Sequence, residues 1–138
     1  MLVALSLKPY PLDVRFRAVA GLTEALHSEQ AKQAVPWLLV ELTDEDAESR
    51  LYAGRLLASI DPDQTATIVL ALAAALGTPN PDHRRAILQT FCEFGPKARE
   101  VVPEVERLLY DGGLGVRDDA IRALRAINPV RGKQLGLD

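Results

Sequence analysis

Four arginines are the residues whose type and spacing first suggest chemistry. Arg15, Arg50, Arg84 and Arg117 follow one another at intervals of 35, 34 and 33 residues. A column of guanidinium groups can bind carboxylates or phosphates bidentately. The same column can instead pair with acidic turn residues such as Asp44 or Asp111, in its own unit or the next, and this structural role is the stronger expectation. The run Asp44-Glu45-Asp46-Ala47-Glu48 has neither the central glycine nor the terminal glutamate of a calcium loop, so it is read as a solvated turn that caps a helix. Cys92 has only Glu93 as a charged neighbour in sequence, which disfavours the thiolate. His27 and His83 lie in different segments and are not expected to form a dyad. The expectation is therefore no catalytic residue, no bound cofactor and no metal, in a chain that is not an enzyme. Trp37, just after Pro36, is expected to pack between helices, with an exposed anchoring role as the alternative.

Composition agrees with a single helical domain over 1–138. Of the 138 residues 48% are hydrophobic but only 5% aromatic, which excludes a disordered chain. Leu, Ala and Val dominate, favouring helix. One cysteine leaves no internal disulfide framework and no multi-cysteine zinc site. The net charge of −3 lacks the basic surplus of a duplex-DNA binder. Residues 1–69 hold 6 basic and 10 acidic residues, and residues 70–138 hold 10 and 9, too small a difference to name a partner. The longest apolar run, Ile68 to Leu76, is nine residues, well short of the roughly 20 that a membrane-spanning helix needs. Without a secretory pattern at the N-terminus, a cytoplasmic location is expected.

The elements that must position these residues repeat. Three residues after each arginine stand Ala18, Ala53, Ile87 and Ala120; seven after, Leu22, Leu57, Phe91 and Leu124; ten after, Ala25, Ile60, Phe94 and Ile127. Offsets of three, seven and ten share one helical face. Pro62, Pro96 and Pro129 stop three of these helices. Before the arginines a second amphipathic helix recurs, with columns Val35, Val69, Val102, then Leu38, Leu72, Val105, then Leu42, Leu76, Leu109. Pro36 and Pro103 fall in its first turn, where a missing N–H costs least; Leu70 replaces them in the third unit. Asp13 and Asp82, two residues before their arginines, are expected to cap the second helices. Units of about 1–28, 29–62, 63–96 and 97–129, with a tail at 130–138, give seven substantial helices and one short N-terminal one. A single helix pair cannot bury its own apolar faces, so the units must stack.

The pattern resembles the HEAT repeat, in the short bacterial form also seen in phycobilisome-lyase-type proteins. The fullest unit reads Gly95-Pro96-Lys97-Ala98-Arg99-Glu100-Val101-Val102-Pro103, then Val116-Arg117-Asp118-Asp119-Ala120-Ile121-Arg122-Ala123-Leu124, then Ile127-Asn128-Pro129. Tetratricopeptide units have a similar period, but their Trp, Tyr and Gly pattern is missing. The resemblance covers most of 13–129 and implies an all-α, right-handed α–α superhelix, an armadillo-like solenoid of about four helix pairs with the first truncated. It also implies that the second helix of each pair lines a concave surface.

On that surface the sequence puts Arg17, Tyr52, Arg55, Gln89, Arg122 and Arg125. Arginine, tyrosine and glutamine at repeat spacing suit a grip on another protein, and charges of both signs favour protein over nucleic acid. The expected function is a non-enzymatic interaction or scaffolding module, or a subunit of a larger assembly. The alternative is a HEAT-like enzyme component, either a chromophore-lyase subunit or a nucleic-acid repair protein. The uncharged run Met1 to Leu7 leaves Leu2, Val3, Leu5 and Leu7 to dock against a second copy or a larger complex, unless the segment folds back on its own core.

Overall fold

The structure, a computed structural model, describes Val14, Arg17 and residues 35–43 and 47–137. Among these residues it is entirely helical, with no strand. The α-helices are α1 (Val35–Glu41), α2 (Ala47–Ile60), α3 (Thr65–Ala74), α4 (Pro81–Phe94), α5 (Val102–Arg107), α6 (Val116–Ile127) and α7 (Pro129–Gln134). Short 3-10 turns extend α3 through Gly77 and α5 through Tyr110, and precede α3 and α5.

Burial follows the sequence columns. Ala53, Ile87 and Ala120 are fully buried, as are Leu57, Phe91 and Leu124. From the first helices Leu38, Leu72 and Val105 meet them in one continuous core. Trp37 is buried too, which resolves its role in favour of packing. The helices carrying the register arginines contact each other in chain order, α2 with α4 and α4 with α6, and the α4–α6 contact is the most extensive. Gly54 is packed closely beneath Ile68 on α3. Among the described residues no helix is long and apolar enough to cross a membrane.

The prolines do two things. Helices α2, α4 and α6 end at Ile60, Phe94 and Ile127, two residues before Pro62, Pro96 and Pro129. Each proline also sits at the start of the next helical turn, where its fixed φ is already suitable.

Two local expectations are corrected. Asp82 does not cap α4. The cap is Asn80, whose Oδ1 accepts the Asp82 N–H at 2.9 Å, and Pro81 occupies the first helical position. Pro81 can only stand inside the helix start, which puts the cap one residue earlier; Asp82 lies in the first turn. Asp13 lies outside the described residues. The tail, set apart at 130–138 with no helix assigned to it, forms α7. Asn128 caps it by accepting the Arg131 N–H, and Gly136 at φ +73° closes it. There the Leu137 N–H reaches the Gly132 carbonyl and the Gly136 N–H the Lys133 carbonyl. These are the paired bonds of a glycine-terminated helix.

Candidate interaction face

The exposed side of α2, α4 and α6 is built from residues that the core columns leave over. Tyr52, Arg55, Gln89, Arg122 and Arg125 are all exposed, at helical offsets that turn them away from Leu57, Phe91 and Leu124. Arg17 is exposed as well. Leu2, Val3, Leu5 and Leu7 lie outside the described residues, as do Arg15, His27 and Asp44.

Asp119 organises part of this face. It is 2% exposed, yet it accepts from three side chains. Arg85 Nε donates to its Oδ2 at 2.8 Å, Gln89 Nε2 to the same oxygen at 3.3 Å, and Arg122 NH1 to Oδ1 at 3.4 Å. A buried carboxylate needs such partners, and here it draws Gln89 and Arg122 onto one acceptor. Arg55 reaches from α2 to α4 in the same way, with NH2 3.5 Å from the hydroxyl of buried Thr90. Arg125 donates through Nε to the Leu137 carbonyl at 2.6 Å, tying α6 to the chain after α7.

Arg85 was missed by the sequence reading. It sits one position after the register arginine, where the other units carry Phe16, Leu51 and Asp118, so no column marked it. Its pKa is raised, first by the hydrogen bond it donates to Asp119 and by that carboxylate's field, against an opposing effect of burial, and then by the fields of Asp82 and Asp118.

Two of the three described register arginines, Arg50 and Arg84, bond within the fold. Arg50 donates to the Ala71 carbonyl on α3 at 3.0 Å. Arg84 donates to the Thr78 carbonyl at 2.6 Å and to Asp111 Oδ1 at 3.2 Å. Its Nε lies 3.1 Å from Asp111 Oδ2 but without hydrogen-bonding geometry, so that contact is an ion pair only. Arg117 is exposed and makes no hydrogen bond or ion pair among the described residues. Compared with protein-family models, curated proteins and solved structures, the chain matches none of them.

Cys92 is half-buried between these groups. Burial raises its pKa, the Asp119 and Glu93 charges raise it further, and Arg122 opposes them. The side chain is thus held as a thiol, poorly suited to nucleophilic work. Among the described residues no three His, Cys, Asp or Glu side chains gather to hold a metal ion.

Proposed function

We propose that the chain is a HEAT-like α–α solenoid serving as a non-enzymatic protein-interaction module of the cytoplasm, a scaffold or a subunit of a larger assembly. The supporting observation is the row Arg55, Gln89 and Arg122. These three exposed side chains occupy equivalent positions on α2, α4 and α6, and each is steadied by a residue of its own helix or of the next helix in that row. Pre-positioned arginines reduce the ordering cost of binding, and arginine is enriched at protein interfaces. The Cys92 thiol pKa is raised by burial, which disfavours a nucleophilic role for that residue.

The test replaces Arg55, Gln89 and Arg122 with alanine. Arg85 keeps its bond to Asp119 in that variant, so stability should fall by no more than about 1–2 kcal/mol. Proteins captured stoichiometrically from host extract by the native chain are then titrated against both forms by calorimetry. Affinity should fall at least about tenfold in the variant. Unchanged affinity would reject this face as the interface.

A further inference from the structure

Charge on this face is sorted along the helices. The exposed acids Glu48, Asp82 and Asp118 stand in the first turns of α2, α4 and α6, where the helix dipole favours them. The later halves of the same helices expose Arg55, Arg122 and Arg125, and Glu93 is the one exposed carboxylate there among the described residues. Exposed Lys133 adjoins Arg125 across a shallow depression of about 230 Å³ that Pro129 and Leu137 help to line. A protein of net charge −3 therefore carries a locally basic strip bordered by an acidic edge.

The arginines of the strip keep most of their donors. Arg55 makes one long contact, to Thr90. Arg122 uses one nitrogen on Asp119 at 3.4 Å, and its side chain is 71% exposed. Arg125 is engaged through Nε, which leaves the paired terminal nitrogens that fit a carboxylate bidentately. Resting on the binding-module reading above, we infer that this strip receives an acidic, extended peptide segment of the partner protein. Helices in contact lie about 8–10 Å apart, so Arg55 and Arg122, two helix steps apart, are about 16–20 Å from one another. An extended chain rises about 3.3 Å per residue, which places the matching carboxylates about five or six residues apart. A peptide can set carboxylates on the arginines and keep clear of Glu48, Asp82 and Asp118. A nucleic acid carries charge at every phosphate and would meet that acidic edge.

Fluorescence anisotropy tests this with the full chain and three labelled probes. One is a Gly/Ser peptide bearing two glutamates six residues apart, one the same peptide with lysines, and one a single-stranded deoxyoligonucleotide of similar length. The glutamate peptide should bind with a Kd of about 100 μM or tighter, weakening as salt rises. Arg55→Gln with Arg122→Gln should weaken it at least about tenfold, while Arg99→Gln with Arg107→Gln, on another surface, should not. Arg122→Lys should fall between, since it keeps charge but loses the planar fork. Absence of binding, equal binding of the lysine peptide, tighter binding of the oligonucleotide, or indifference to the Arg55 and Arg122 changes would each overturn the inference. A captured partner that is still lost on triple-alanine substitution would leave the interaction module standing without the acidic segment.

Discussion

The guanidinium of Arg85 fills the space that a side chain at Gly115 would occupy. A Cβ built at Gly115 would lie 2.9 Å from both Cζ and Nε of Arg85. The same guanidinium is bonded through Nε to Asp119, so withdrawing it would break that contact. Gly115 also sits at φ +78°, immediately before α6. The turn into α6 and that carboxylate thus meet on one arginine.

Gly115→Ala should consequently destabilise the protein by about 1–3 kcal/mol, from left-handed backbone strain together with displacement of Arg85. Gly112→Ala, three residues earlier, meets nothing within 4 Å and should stay within about 0.5 kcal/mol of the native protein. Urea denaturation of the two variants compares them directly. Equal midpoints would show that Arg85 moves aside freely.

Asp119→Ala should cost about 3 kcal/mol or more, because it strips the shared acceptor from Arg85, Gln89 and Arg122 at a buried position. Asp119→Asn keeps an acceptor oxygen and should cost clearly less. The measurement is again the denaturation midpoint. An alanine variant as stable as the asparagine one would mean that the three donors are satisfied by water.

Glu106 gives a pH dependence. The Arg131 hydrogen bond pulls its pKa below the ordinary value of 4.5, against a smaller opposing effect of burial. The folded protein therefore holds this proton less tightly than the unfolded chain. Its stabilisation is complete above pH 4.5 and is lost as pH falls through the lowered folded value. Thermal melts between about pH 5 and 3 should show native protein losing more stability than Glu106→Gln. Parallel curves would remove the pair from the acid response.

Phe91→Ala should cost about 3–5 kcal/mol, since the ring is fully buried between helices. Leu114→Ala, at a side chain 91% exposed, should fall within about 0.5 kcal/mol of native. Chemical denaturation reads both.

Much of the fold was legible in the sequence because burial is periodic. Ala53, Ile87 and Ala120 could be read as core from their offset to an arginine, and so could Leu57, Phe91 and Leu124, since a helix returns the same face every few residues. The stop at Pro62, Pro96 and Pro129 was legible for an equally local reason. The tail was not. Gly136 reads as a breaker until Asn128 and Pro129 are recognised as a start signal and the glycine as the end of a short helix. The face was legible only in outline. Gln89 and Arg122 were placed on it from their column, but that they converge on Asp119 depends on how closely α4 and α6 pack, which no spacing encodes. Arg85 was invisible because its partner is 34 residues away and its own column holds a phenylalanine, a leucine and an aspartate elsewhere.

The closure of α7 has a practical side for anyone handling the protein. The carbonyl of Leu137 accepts from Arg125, so the backbone passes along the rim of the basic strip as it leaves α7. A purification handle or fluorophore fused after this point would emerge beside Arg125 and Lys133, and an acidic epitope tag would compete there with any added probe. Attachment through an engineered cysteine at Gly77, an exposed position with open space around it, would keep the label off α6 and α7.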